Sequence, residues 1–217
     1  MPTPESATID FLVRSWGTEG DGVWEMELKA KTPCMVCTLF LLFLGPVPTE
    51  LGQLDNLVEL WVHENGFTGT IPTQFGTLSR LSDLRISGCN QEGTIPTELF
   101  ELTRLARLDL HEQQLSGTLS PLIANLVHLE QLRVSRNKLT GTIPPELANL
   151  SELRLAWLHL NEMTGSMPID ICDNVGTGEG YLEFLQTDCN PEDNPPIECL
   201  CCSACCDRTT QICLTRT

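Results

Sequence analysis

The sequence predicts an α/β solenoid of about five to six stacked 24-residue coils. Three observations predict it. Glycine recurs at 45, 69, 93, 117, 141 and 165, always at the same interval. A residue three places later is proline at 48, 72, 96, 144 and 168, and Ser120 where the series fails. Apolar slots hold the same spacing: Leu54/78/102/126/150, Leu57/81/105/129/153, then Leu60, Leu84, Leu108, Leu132 and Ala156. A fixed period of this length marks a repeat architecture.

Each coil follows from its residues. The alternating stretch Leu-x-Val/Ile/Leu, ending at Val62, Ile86, Leu110, Val134 and Leu158, suits a short strand with one face inward. The glycine lets the backbone turn, and the proline closes the turn and forbids a helix there. Pro-x-x-Leu-x-x-Leu then allows one or two tight helical turns on the far side. One coil cannot bury its apolar interior alone, so neighbours stack. A further slot reads Asn65, Cys89, Gln113, Asn137 and Asn161. A polar side chain there can bond the backbone of adjacent coils. Cys89 and Gln113 depart from asparagine, so an imperfect ladder is expected in the middle.

The pattern L-x-x-L-x-x-L-x-L-x-x-N-x-L-x-G-x-I-P resembles the plant-type leucine-rich repeat, over roughly residues 45–172. The resemblance implies a right-handed superhelix with a parallel sheet on its concave face and short helical turns on the convex side. It also implies a second short sheet near the Gly-x-Ile-Pro corner. Relatives of this kind include receptor ectodomains and secreted inhibitors of cell-wall-degrading enzymes. Such a fold alone does not give the ligand.

The ends read differently. Residues 1–44 form a degenerate N-terminal cap or first coil, 45–171 the repeats, and 172–217 a cysteine-rich C-terminal cap. Trp16 and Trp24 are candidate anchors of the first segment. The run at 35–44, MVCTLFLLFL, is too short to span a bilayer. Its phase puts Val36 and Thr38 on a strand, which favours a first coil; after Lys29 and Lys31 it also looks like a signal-peptide core. Residues 1–20 show no proper signal sequence, so a misassigned gene start would be needed for secretion. At the other end, Cys172, Cys189, Cys199, Cys201, Cys202, Cys205, Cys206 and Cys213 crowd the last 46 residues. That density reads as an irregular, disulfide-bonded cap in an oxidising compartment. Adjacent cysteines are expected to take different partners, and eight cysteines allow 105 pairings. Cys202 and Cys205 have C-x-x-C spacing, but no His lies in the segment, and no metal site is expected. A tail of this style is similar to C-terminal segments of some algal proteins with these repeats.

Formal charge is −16, from 29 acidic and 13 basic residues, which disfavours nucleic acid. Outward strand positions define candidate ligand contacts in three columns. The first is Trp61, Arg85, Asp109, Arg133 and Trp157; the second is His63, Ser87, His111, Ser135 and His159; the third includes Arg136. Trp and Arg on rigid elements are the types enriched in binding hot spots. The histidines do not suggest a metal: strands lie about 4.8 Å apart, so alternate coils hold them roughly 10 Å apart in a row. Serines lie between them, but no acid is clearly placed to orient each His, and no kinase, P-loop or nucleophile-elbow motif occurs. Asn149-Leu-Ser is a glycosylation sequon on the non-concave side.

The expectation is a non-enzymatic, cofactor-free extracellular or cell-surface module binding a protein, peptide or glycan on its concave or lateral face. The alternatives are an ectodomain fragment of a receptor-like kinase and a secreted inhibitor of cell-wall hydrolases. A membrane-anchored parent is compatible with either, although this chain carries no membrane span.

Overall fold

In the computed structural model, the described residues are 7–10, 29–31, 44–62, 66–175, 182–189, 197–207 and 210–215. Trp16, Trp24, His63, Asn65 and the run's Val36 and Thr38 lie outside them. The strands are β1 (Ala7–Asp10), β2 (Lys29–Lys31), β3 (Leu44–Pro46), β4 (Leu57–Trp61), β5 (Gly66–Thr70), β6 (Asp83–Arg85), β7 (Asn90–Thr94), β8 (Arg107–Asp109) and β9 (Gln114–Thr118). Then come β10 (Gln131–Arg133), β11 (Lys138–Thr140), β12 (Leu155–Trp157), β13 (Gly165–Ser166), helix α1 (Ile169–Asp173), β14 (Phe184–Thr187), β15 (Ile197–Glu198), β16 (Ala204–Cys206) and β17 (Cys213–Thr215).

These strands form two main sheets. The larger has ten strands, in the order β17-β16-β14-β12-β10-β8-β6-β4-β1-β2. From β1 to β16 its pairs are parallel, whereas β2 and β17 run antiparallel to their neighbours. The five strands β3, β5, β7, β9 and β11 form the second parallel sheet, at the glycine corner. Short 3-10 turns follow each corner, at Thr49–Gln53, Thr73–Thr77, Thr97–Glu101, Pro121–Asn125 and Pro145–Asn149. The fourth of these explains the missing proline: Ser120 Oγ accepts the Leu122 N–H at 3.2 Å, and Pro121 supplies the first position of the turn instead.

Leucines from every coil share one interior. Leu84, Leu108, Leu132 and Ala156 sit in register across neighbouring strands and are fully buried. The glycine is required at the corner. Gly117 has φ +79°, and a Cβ there would stand 2.8 Å from the Thr94 methyl of the coil below.

The polar slot works as a ladder. Asn137 Oδ1 accepts the Leu115 N–H at 3.0 Å, while its Nδ2 donates to Leu110 O at 2.8 Å and Val134 O at 3.0 Å. Asn161 repeats this with Leu139 N, Val134 O and Leu158 O. The longer Gln113 does the same, accepting from Gln91 N at 2.8 Å and donating to Ile86 O at 2.9 Å. At Cys89 a thiol takes the place of the amide, with Sγ 3.2 Å from Val62 O. The expected imperfection therefore does not extend to Gln113, which keeps both of its bonds.

Within the irregular, cysteine-rich cap, short strands continue the concave sheet. β14 and β16 extend the concave sheet in parallel register, and the antiparallel β17 ends it. Trp157 pairs with Gln186 and Gln186 with Ala204, so the first added coil is longer than the repeat and the second shorter. Four disulfides, Cys172–Cys201, Cys189–Cys205, Cys199–Cys202 and Cys206–Cys213, use all eight cysteines of the tail. Adjacent cysteines take different partners, as expected. Cys172 on α1 ties the cap to the last repeat. At the other end, the strand beside β4 is β1. Among the described residues no helix is long and apolar enough to cross a membrane.

Asn137→Ala removes an acceptor and a donor that buried backbone groups use, each worth about 1 kcal/mol or more. We expect a loss of about 2–4 kcal/mol in denaturant unfolding; an unchanged midpoint would show that the ladder does not stabilise the stack. Glu112 is exposed at φ 55°, a left-handed conformation that L-residues adopt at a cost. Glu112→Gly should therefore raise stability by about 1 kcal/mol in the same assay.

Candidate functional site

The concave sheet presents its outward residues in rows at strand spacing. Arg85 and Arg133 each lie flat on an indole: the Arg85 guanidinium carbon is 4.2 Å from the Trp61 ring centre, and that of Arg133 is 4.4 Å from Trp157. Arg133 and Trp157 are direct partners across β10 and β12, and Trp61 and Arg85 across β4 and β6. Register thus sets up both stacks, since it places each indole directly across from an arginine on the neighbouring strand. All four residues are half-buried.

Two carboxylates beneath them hold the arginines. Asp83 is 5% exposed and takes both Nε (2.9 Å) and Nη2 (2.8 Å) of Arg85, with Arg107 Nη1 on the same carboxylate. This fork geometry fixes the guanidinium in orientation as well as position. The bond to Asp83 raises the Arg85 pKa further. Gln131 joins the two halves by accepting from Arg107 Nε at 3.2 Å and Arg133 Nη2 at 3.4 Å.

The column that sequence reasoning left out is therefore Asp83, Arg107 and Gln131. A signal for it existed. Residues two apart on a strand share a face, so Asp83 and Arg107 point the same way as Arg85 and Asp109.

Asp109, expected to face the ligand, is 3% exposed. Its Oδ1 lies 2.6 Å from His111 Nδ1, and Arg133 Nη1 is 3.6 Å from its Oδ2. Burial pushes the Asp109 carboxyl up, but the His111 hydrogen bond and the charges of His111 and Arg133 outweigh it and hold it low. The same bond raises His111, against burial and the Arg133 charge. An acid does orient this histidine, contrary to the expectation. Ser87 and Ser135, which flank it in the column, are buried.

His159 is also buried, at 7% exposure; desolvation, Arg136 and His111 lower its pKa to about 4. Its ring meets Trp157 edge-on at 6.4 Å between centres. Arg136 is exposed; it lies 3.5 Å from Glu112 and donates to Gln211 Oε1 at 3.1 Å. Asn149 is exposed at the end of a convex turn, away from this face.

The structure thus joins Trp61, Arg85, Asp109, His111, Arg133 and Trp157 in one array and sets Asp109 and His159 into its floor. Among the described residues, four arginines (85, 107, 133, 136) balance four acids (Glu59, Asp83, Asp109, Glu112) along it. In a chain of charge −16 the described part of the concave face is therefore locally balanced.

Comparison with known proteins identifies the coils. The Leucine Rich Repeat family model matches residues 56–78 and 128–150. Among curated proteins, none matches the sequence. Solved structures do. The chain is 31% identical to the ectodomain of the plant membrane receptor kinase GASSHO1/SCHENGEN3 from Arabidopsis thaliana, in complex with CASPARIAN STRIP INTEGRITY FACTOR 2. That match covers 72% of this chain and 17% of that one, with a TM-score of 0.63. It is 28% identical to the Arabidopsis receptor kinase HAESA, in complex with the peptide hormone IDA and the co-receptor SERK1, over 81% of this chain and 26% of that one (TM-score 0.56). A plant ice-binding protein is 29% identical over 68% of this chain and 45% of its own length (TM-score 0.59). The chain thus spans under half the length of each. Its coils are leucine-rich repeats of the plant type.

The His111–Asp109 pair gives a pH dependence. His111 is raised in the fold, so its share of stability is complete below its ordinary value of 6.5 and fades as pH rises through the raised one. The melting-temperature gap between wild type and His111→Gln should therefore be wider near pH 5.5, roughly, than near about pH 9. A gap that is constant or widens upward would refute the coupling.

Proposed function

We propose that this leucine-rich-repeat protein is a non-enzymatic recognition module that holds an extended peptide across its concave face, outside the cell or at its surface. One observation carries the reading: two arginine-on-tryptophan stacks, spaced three strands apart and oriented by buried carboxylates. Such an array is ordered before any ligand arrives, so little side-chain entropy is lost on binding. It offers flat, half-buried aromatic and guanidinium surface, the kind that dominates binding energy.

The receptor kinase HAESA, in complex with the peptide hormone IDA, supports a peptide as the partner class. Charge balance along the face supports a ligand chosen by shape and stacking more than by net charge. The four disulfides support an oxidising, extracellular setting. A receptor-type parent chain fits the same observations. The buried serines beside His111 argue against acyl-transfer chemistry, because a nucleophile must reach its substrate.

Panning a displayed library of random linear peptides against the wild-type protein supplies the probe. Synthetic copies of the enriched peptides should bind Trp61→Ala and Trp157→Ala at least about tenfold more weakly, a change of about 1.4 kcal/mol or more. Arg154→Ala, on an exposed pair with Glu183, should leave their affinity unchanged. No enrichment, or equal binding to both tryptophan variants, would remove the concave face as the site.

A further inference from the structure

The C-terminal hairpin brings a second kind of chemistry to the end of the concave face. Cys206 closes β16 and Cys213 opens β17; they are direct partners in the antiparallel register and are joined as a disulfide. His159 stands beside them. One of its ring nitrogens and the two sulfurs all lie within 4.8 Å of one another. His159 is more than nine-tenths buried, and its Nδ1 has no hydrogen-bond partner.

An imidazole nitrogen left unpaired in the interior is penalised, because it has given up its hydrogen bond to water. The fold does not demand that cost at this position, since the coil before it places the small Ser135 in the same column. A third group completes the setting: Gln186 Nε2 donates to Cys206 Sγ at 2.9 Å. An N–H aimed at sulfur favours a thiolate over a thiol or a disulfide, because the acceptor is then charged.

Imidazole with two thiolates is a donor set suited to a borderline-soft divalent cation. A second sulfur group, Cys189, Cys199 and Cys202, also lies within 4.8 Å, but it contains no histidine. We propose that His159, Cys206 and Cys213 form a thiol-gated binding site for a zinc-type cation, in which the disulfide and the metal are alternative occupants of one corner.

The gate opens by dithiol exchange. Cys213 is partly exposed, whereas Cys206 is 1% exposed, so an external dithiol attacks the Cys213 sulfur. The Cys206–Cys213 bond breaks, and Cys206 leaves as a thiolate that keeps the Gln186 N–H. The second thiol of the reductant then attacks the mixed disulfide. Cys213 is released, and the reductant leaves as its own disulfide, having given up two electrons. The cation binds both sulfurs and displaces any proton that Cys213 has taken up, while His159 donates its neutral lone pair. Water or a bound group supplies the remaining position. This proposal does not rest on the peptide reading: its ligand atoms are those of His159, Cys206 and Cys213, although His159 also packs edge-on against Trp157.

The test uses the full chain, treated with a dithiol, freed of reductant without air, and titrated with Co2+ as a visible stand-in for Zn2+. Alkylation and mass spectrometry verify that Cys206 and Cys213 are reduced. The reduced protein should gain a thiolate–cobalt absorption that Zn2+ abolishes and that includes one equivalent dependent on His159, and the oxidised protein should gain none. His159→Gln should weaken that equivalent at least about tenfold. Cys206→Ala/Cys213→Ala should lose it, while leaving any cation held by other cysteines. If the double variant does not fold, the His159→Gln arm decides alone. A reduced wild type that takes up no more cobalt than His159→Gln, or an oxidised protein that takes up as much as the reduced one, would overturn the proposal.

Discussion

Leu84, Leu108 and Leu132 stand in register on three neighbouring strands, each shut off from water by the coil before and the coil after. A single coil buries almost none of its apolar surface, so stability exists only as a property of neighbours. That constraint sets the coil length, because every coil must return its strand to within one sheet spacing of the last. It also sets the polar ladder. A chain that turns this often leaves backbone groups that no strand or helix pairs, and Asn137, Asn161 and Gln113 pair them between coils. The concave rows follow as a by-product, since a shared register aligns outward side chains as strictly as inward ones.

On that platform the electrostatics are unequal. Arg154–Glu183 and His128–Glu152 are exposed pairs, screened by water and salt, and such pairs are worth about 0–1 kcal/mol. Asp83 and Asp109 are buried, and a buried carboxylate without a partner is severely penalised. Their arginines are therefore obliged to stay close. The two indoles gain from this obligation, because each guanidinium is held above a ring and keeps its outer edge toward solvent. The rigidity of the face comes from beneath it.

Much of this was legible in the sequence. The period of the glycines and leucines gave the solenoid, the second sheet came with the family resemblance, and the strand phase located the Trp and Arg rows. What escaped notice has physical causes. Periodicity reports which side of the strand a residue takes, but not whether a neighbour covers it, so Asp109 and His159 were placed on the surface. Asp83 and Arg107 were passed over because they open their strands, where a short alternating pattern is hardest to delimit. The left-handed positions Glu112, Arg136 and Leu160 carry no glycine to announce them. The cap coils differ in length from the repeat, so a search at fixed period finds no further corner after Pro168. Cysteine pairing depends on which strands become neighbours, and counting cannot supply that. The approach of Cys206 and Cys213 to His159 is a fact of the same kind.

Both edges of the ten-stranded sheet end on a three-residue strand that runs against its neighbour, β2 at one side and β17 at the other. A stack of parallel coils is otherwise open-ended, and its last strand is a template for the first coil of another copy. A reversed, very short terminal strand offers such a copy the wrong hydrogen-bond pattern and too little length to hold. The two reversed strands thus act against end-to-end stacking of copies, through the polarity of the backbone itself.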